Sequence, residues 1–121
     1  MQRIARLALV LTLIACNARR AGHEAAADAA TFSRQHAKHQ LHASVAGSDC
    51  RVLAIETETA FNDENVESIQ YGTGDYGAFG GAERFAHDRG FRAVVYRDSN
   101  GALWTYGATT RDEAQSLPRC D

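Results

Sequence analysis

The sequence predicts an α+β domain: a small antiparallel sheet of about four strands with an N-terminal helix and two short helices. Three features indicate this class. Residues 24–46 are rich in alanine and contain neither proline nor glycine, so their propensity favours a helix. Residues 51–61 alternate along the chain, with the acidic side chains confined to one face, which is the period of a half-buried strand. Asn100-Gly101, between two apolar runs, is typical of a β-hairpin turn.

The first half of the domain is predicted from these patterns and from the breaks between them. Gly47-Ser48-Asp49 ends the first helix, and the strand over residues 51–61 follows. Residues 62–65 are expected to form a turn, so that residues 66–71 form a second strand that pairs back antiparallel to the first. Residues 72–81 contain five glycines, and we expect an irregular loop there.

The second half is predicted from turn and cap signals. A short helix is expected over residues 82–89, with a glycine available to close it. The hairpin follows, and a two-residue turn in it places Trp104 opposite Arg97. The capping box Thr110-Arg111-Asp112-Glu113 then opens a last helical turn. This order of elements favours helices packed on one face of an antiparallel sheet.

Length and charge restrict the function. The 121 residues fit a single domain and carry a formal net charge of −2. Twelve of the 13 basic residues are arginine, and the exception is Lys38. The balance is too acidic to indicate nucleic-acid binding, so no nucleic acid is expected among the partners.

The first sixteen residues resemble the signal peptide of a bacterial lipoprotein. Arg3 and Arg6 form a short positive region, and residues 7–14 form an apolar run that is too short to cross a bilayer. The run ends in Leu13-Ile14-Ala15-Cys16, which is similar to the lipobox of that class. The resemblance implies cleavage before Cys16 and attachment of a diacylglyceryl group to its thiol.

The same resemblance implies an organisation and a location. Residues 1–15 are the signal peptide, residues 16–23 a lipidated tether, and residues 24–121 a single domain. Stable anchoring needs more than one acyl chain, and lipidation at Cys16, with palmitate among the attached chains, fulfils this requirement. The expected location is the cell envelope, and Asn17 favours the outer membrane, with the domain facing the periplasm. After removal of Arg3 and Arg6, 11 basic and 15 acidic side chains remain.

Two further cysteines remain once Cys16 carries lipid. They are Cys50 and Cys120, and in an oxidising compartment two such cysteines most simply pair with each other. We therefore expect a disulfide bond that joins the start of the first predicted strand to the C-terminal end of the chain.

The glycine-rich loop is the expected binding surface. It presents Tyr76 and Phe79 where little local structure can cover them, and exposed aromatic side chains on loops are common in partner recognition. The loop also contains a G-x-G-x-x-G pattern, Gly72-Thr73-Gly74-Asp75-Tyr76-Gly77, which occurs in dinucleotide sites. The expected antiparallel context and the acidic Asp75 argue against a phosphate ligand, so neither a nucleotide nor any other cofactor is expected.

Three histidines could in principle share a metal ion. His36, His39 and His42 recur at every third residue of the predicted first helix, and imidazoles three residues apart lie on adjacent turns. A strong site needs a third or fourth fixed ligand, and no cysteine or carboxylate lies at a matching spacing. The three histidines therefore remain weak candidates, and no metal is predicted.

The sequence leaves three functions open. The first is a tethered module that binds a protein or an envelope component, as an inhibitor, an immunity protein or an assembly factor does. The second is a metal-binding lipoprotein that uses the histidine-bearing helix. The third is a small envelope hydrolase, although the sequence contains neither G-x-S-x-G nor H-E-x-x-H and therefore predicts no catalytic residue.

Overall fold

The computed structural model describes residues 24–120 of the chain. The predicted signal peptide (1–15) and the predicted tether (16–23), which includes the predicted lipidation site Cys16, lie outside these residues. The described elements form one four-stranded sheet with helices on both faces. In chain order they are α1 (24–35), a 3₁₀ turn (Ala37–His39), β1 (Leu41–Ala46), β2 (Val52–Thr57), α2 (Asp63–Tyr71), a 3₁₀ segment (Gly74–Phe79), α3 (Ala82–Asp88), β3 (Ala93–Arg97), β4 (Leu103–Gly107) and α4 (Arg111–Gln115).

The α+β class and the number of strands are confirmed, but the sheet is mixed rather than antiparallel. The strands lie in the order β1-β2-β3-β4. The β1/β2 and β3/β4 pairs are antiparallel, whereas β2 and β3 are parallel. The chain between β2 and β3 passes through α2 and α3, and a long helical connection of this kind can return a strand in the parallel direction.

The long first helix predicted over residues 24–46 is wrong in its second half. Helix α1 stops at residue 35, and Gln40 takes a left-handed backbone conformation (φ +58°) that turns the chain into β1. In β1, Leu41, Ala43 and Val45 alternate into the core and pair with β2. Burial of this alternating set outweighs the weak helix propensity of the segment.

The second strand predicted over residues 66–71 is instead part of α2. Asn62 caps this helix, since its Oδ1 accepts a hydrogen bond from the Asn65 amide at 2.8 Å. Asp63 lies in the first turn, where a negative charge favours the helix dipole. Val66 and Ile69, three residues apart, are the buried side chains. The polar residues that were interpreted as a turn are therefore a helix start.

The hairpin of β3 and β4 is confirmed, but its register differs by one residue from the prediction. Asp98 organises a longer turn, because its Oδ1 accepts from the amides of Asn100 and Ala102, each at 2.9 Å. Trp104 is therefore opposite Tyr96 rather than Arg97. The Trp104 and Arg97 side chains consequently lie on opposite faces of the sheet.

The core has two parts, one on each face of the sheet. On the first face, α1, α2 and α3 cover β1 to β4 with their buried apolar side chains, among them Phe32, Ile69 and Phe85. On the second face, Ala114 of α4 packs on Val52 and its neighbours. The expectation that all helices lie on one face is therefore wrong for α4. The predicted start of α4 at Thr110 is confirmed, since the Thr110 hydroxyl accepts from the Glu113 amide at 3.1 Å. The reciprocal bond of a capping box is not formed among the described residues, because the Glu113 carboxylate accepts from Arg92 and Thr109 instead.

The two edges of the sheet differ. Along β1, the Ser33 hydroxyl accepts from the Ala43 amide at 2.8 Å, and the segment at 118–120 pairs with the rest of the edge. In that segment, the Cys120 amide donates to the Val45 carbonyl at 3.0 Å. Strand β4 is the other edge, and no strand within residues 24–120 pairs with its outer side.

Covalent and ionic contacts hold the C-terminal segment and α4 to the sheet. Cys50 and Cys120 form the predicted disulfide, with their Cα atoms 5.8 Å apart. Arg92, just before β3, donates to Asp49 at 2.8 Å, to Glu113 of α4 and to the carbonyl of Ala108. These contacts lower the pKa of Glu113 below its ordinary value, chiefly through the hydrogen bond from Arg92.

Removal of the disulfide should destabilise the domain. A double variant, Cys50→Ala/Cys120→Ala, should lose roughly 2–5 kcal/mol of unfolding free energy, because the bond closes a long loop in the unfolded chain. Urea unfolding of the variant and of the wild type, each with and without reductant, measures the loss. Reductant should destabilise only the wild type. Two freely alkylated thiols in the non-reduced wild-type protein would contradict the assignment.

Candidate functional site

The glycine-rich segment 72–81 is a close crossing of two chain segments. Gly72 ends α2 in the left-handed conformation, with φ +69°. A Cβ atom on Gly81 would lie 2.2 Å from the Gln70 carbonyl oxygen, and one on Gly72 would lie 2.5 Å from the Gly81 nitrogen. The end of α2 and the start of α3 therefore touch backbone to backbone, which only glycine permits.

The same geometry accounts for the G-x-G-x-x-G pattern. Gly72 and Gly74 both have positive φ, and a Cβ on Gly77 would lie 2.8 Å from the Gly72 carbonyl oxygen. The pattern follows a helix rather than a strand, so its context is not that of a dinucleotide site. These glycines serve a compact 3₁₀ segment, where the sequence predicted an irregular loop.

The three candidate metal ligands lie on different elements. His36 follows α1 and is buried with its ring 4.4 Å from that of Phe32; His39 is in the 3₁₀ turn, and His42 is exposed on β1. They therefore do not form one helical row. Within residues 24–120, no group of three or more histidine, cysteine or acidic side chains is arranged to hold a metal ion.

His36 and His39 instead hold the 3₁₀ segment. The His39 Nε2 atom lies 3.1 Å from the Asp75 carbonyl oxygen and donates a hydrogen bond to it, and the His39 ring lies 4.5 Å from the Tyr76 ring. Phe79 places its ring edge-to-face on His36, at 5.9 Å. Tyr76 is half-buried against the core, whereas 55% of Phe79 is exposed. Of the two predicted binding aromatics, Phe79 has the greater free surface.

A groove of about 640 Å³ opens on the other side of the crossing, between the end of α2, α3 and β4. Two tyrosines that are among the most exposed large hydrophobic side chains of the described residues line it, Tyr71 (62%) and Tyr106 (48%). We call it the tyrosine groove. Its walls are formed by the following residues: Gln70, Tyr71, Gly80, Gly81, Glu83, Arg84, His87, Asp88 and Tyr106. The glycine crossing positions Tyr71, the last residue of α2, near Glu83, in the first turn of α3.

Glu83 is the unusual member of this groove. Only 9% of its surface is exposed, and burial raises the pKa of its carboxyl above the ordinary value. Within residues 24–120, no ion pair includes its carboxylate. The adjacent Arg84 points to Asp88, with its Nε atom 3.8 Å from Asp88 Oδ2.

A second polar group without a partner lies in the same region. The Tyr96 hydroxyl, on β3, is buried and has no hydrogen-bond partner among residues 24–120. Its pKa is raised first by burial and then by the proximity of Glu83, Tyr71 and Tyr106, all of which line the groove. Buried polar groups normally have partners, so this concentration marks the groove for a functional role.

A second depression lies at the β1 side of the sheet, near His42 and Glu56. Of its two acidic side chains, Glu56 is paired, because Arg119 Nη2 lies 3.7 Å from Glu56 Oε1, and Glu58 is exposed to solvent. The tyrosine groove is therefore the stronger candidate site.

No family model, curated protein or solved structure matches this chain. Within residues 24–120, none of the helices combines the length and apolar character needed to cross a bilayer.

Tyr71, Glu83 and Tyr106 are not among the binding residues that the sequence predicts. Tyr71 was placed in a predicted strand, and its meeting with Glu83 depends on the glycine crossing. One signal was present for Glu83: in the predicted short helix it lies among Ala82, Phe85 and Ala86, which form the buried stripe. An acidic residue inside an apolar stripe indicates a buried carboxylate.

The burial of His36 predicts a pH-dependent stability. Burial first, and the nearby His39 second, lower the pKa of His36 below 6.5. As the pH falls, the unfolded chain therefore takes up a proton on this histidine more readily than the native state does. The contribution of His36 to the free energy of unfolding is complete above about pH 6.5 and declines below it, by up to about 1.4 kcal/mol per pH unit. The variant His36→Phe should lose this decline, as measured by urea unfolding between pH 7.5 and 5.5.

The matched control is His42→Gln at an exposed position, which should retain the wild-type pH dependence. Parallel pH curves for the wild type and His36→Phe would show that His36 is not the responsible group.

Proposed function

We propose that this chain is a lipoprotein of the bacterial cell envelope, anchored through Cys16, whose domain faces the periplasm and binds a partner protein through the tyrosine groove. The anchoring half of the proposal is supported by the resemblance of Leu13-Ile14-Ala15-Cys16 to a lipobox. The disulfide between Cys50 and Cys120 supports an oxidising compartment.

The observation that carries the binding half is the pair of exposed tyrosines beside a buried carboxylate. Tyrosine is enriched among the residues that dominate binding energies, because it offers a large, stiff contact surface with a polar end. Tyr71 and Tyr106 are on a helix and a strand rather than on a free loop. Their positions are set before a partner arrives, so little ordering entropy opposes binding.

The two alternative functions receive less support. A metal site would need His36, His39 and His42 on one face, and they lie on separate elements. A hydrolase would use a carboxyl with a raised pKa, such as Glu83, but it also needs a second carboxylate or a nucleophile across the groove. Asp88, the other acidic residue of the groove, is on the same helix and is paired with Arg84.

The lipid anchor is tested by Cys16→Ala. This variant should incorporate no radiolabelled fatty acid and should accumulate as unprocessed precursor, because lipoprotein processing requires the modified cysteine. Cys120→Ala is the matched control and should still be acylated. Normal maturation and membrane retention of Cys16→Ala would refute the lipoprotein assignment.

The binding surface is tested by a photo-crosslinking amino acid placed at residue 71 or residue 106 of the full chain in cells. Both positions should yield the same discrete cross-linked species, and exposed Thr59 should not. Tyr106→Ala should weaken cross-linking from residue 71 by at least fivefold, a loss of about 1 kcal/mol expected of an anchor residue. The same probe at Phe79 shows whether the surface extends to the 3₁₀ segment.

The variants should fold normally, since exposed side chains contribute within about 0.5 kcal/mol to stability. Different species from residues 71 and 106, or equal cross-linking from Thr59, would exclude the groove as the binding surface.

A further inference from the structure

We propose that the tyrosine groove receives an arginine or lysine side chain of the partner protein, with its cationic group paired to Glu83 between Tyr71 and Tyr106. This inference rests on the proposed function and adds the chemistry of the partner to it.

The first argument is charge. Glu83 is nine-tenths buried and lines the groove, yet within residues 24–120 no cation lies within ion-pair distance of it. Most of the Glu83 side chain is buried, and this burial disfavours the charge of its carboxylate, a cost that pairing with a cation in the groove reduces. The Arg84 side chain is directed to Asp88, so the charge of Glu83 is left for a ligand.

The second argument is an arginine of this protein in an equivalent setting. The Arg89 guanidinium carbon lies 3.8 Å from the centre of the Phe85 ring, and its Nε lies 3.3 Å from Asp28 Oδ1. An aromatic face and a carboxylate together hold that cation. The groove offers the same two kinds of group, tyrosine rings and a carboxylate, and its own arginine, Arg84, is directed to Asp88 rather than to Glu83.

The third argument is shape and access. The groove, about 640 Å³, is large enough for a long basic side chain, and it is open to solvent along the exposed faces of Tyr71 and Tyr106. Glu83 is one of its lining residues. A lysine or arginine side chain can pass its aliphatic part between the tyrosine rings and bring its charge to Glu83. A metal ion is a poorer fit, because a single carboxylate provides too few ligands.

The test uses the full mature chain, ¹⁵N-labelled, titrated with N-acetyl-arginine amide and followed by NMR. N-acetyl-citrulline amide is the matched neutral probe. The arginine probe should shift the amide signals of Gly80, Gly81 and Glu83 in a saturable manner, and the citrulline probe should bind at least tenfold more weakly. Glu83→Gln should remove this preference for the charged probe, and Tyr71→Leu or Tyr106→Leu should each weaken binding about threefold.

Glu83→Gln also has a readout in the free protein. The pKa of Glu83 is raised by burial, so the native state binds its proton more tightly than the unfolded chain, and stability falls as the pH rises above about 4.5. At neutral pH, the variant should therefore melt at a higher temperature than the wild type. Glu67→Gln, at an exposed position of α2 outside the groove, is the matched control and should neither stabilise the protein nor remove the preference for arginine.

The outcomes distinguish this inference from the proposed function. Equal binding of arginine and citrulline probes, or unchanged selectivity in Glu83→Gln, overturns the cationic ligand, whereas cross-linking from residues 71 and 106 can still support a binding surface. Selective arginine binding without any cross-linked species overturns the proposed function alone. Arginine binding that appears only in Arg19→Gln/Arg20→Gln indicates that the tether itself occupies the groove, and this result overturns the inference.

Discussion

The backbone contact between Gly72 and Gly81 is the constraint on which the arrangement of helices depends. The connection from β2 to β3 must place two helices side by side on one face of the sheet, and the segment 72–81 between them folds back so that its two ends touch. A Cβ atom on Gly81 would come within 2.2 Å of a carbonyl oxygen at the end of α2, so any other residue would force the helices apart. That separation would move Tyr71 away from Glu83. The fold of the crossover and the shape of the groove therefore share one physical cause.

The parts of the fold that the sequence predicted are those with local causes. The β3/β4 hairpin, helix α3, the helix start at Thr110 and the pairing of the two cysteines all depend on a few neighbouring residues or on a simple count. Strand β1 was missed because its alanine-rich sequence is compatible with a helix, and burial against β2 decides between the two states. Helix α2 was missed because an asparagine–aspartate run starts both turns and helices. The parallel pairing of β2 and β3 depends on the whole crossover, for which no short pattern exists.

The candidate site was less predictable than the fold, because it depends entirely on contacts between residues that are distant in the sequence. The sequence predicts Tyr76 and Phe79 as binding residues because a glycine-rich segment is expected to be irregular. In the structure, His36 and His39 pack against this segment, and Tyr76 is half-buried. The groove on the other side combines residues from three elements, and their proximity is a tertiary property. Only Glu83 could have been noticed beforehand, from its place in an apolar helical stripe. The binding role of Tyr76 and Phe79 stays a prediction, and the tyrosine groove is a second candidate surface beside it.

The unequal edges of the sheet determine how molecules of this protein can associate. Growth of a β-fibre requires each molecule to offer two free strand edges, one for each neighbour. Here the β1 edge is occupied by Ser33 and by the disulfide-linked segment at 118–120, and within residues 24–120 only β4 offers a free edge. Two molecules that pair through β4 would satisfy both free edges and leave none for a third. Strand pairing would then end at a dimer, and polymerisation through strand edges would stop there.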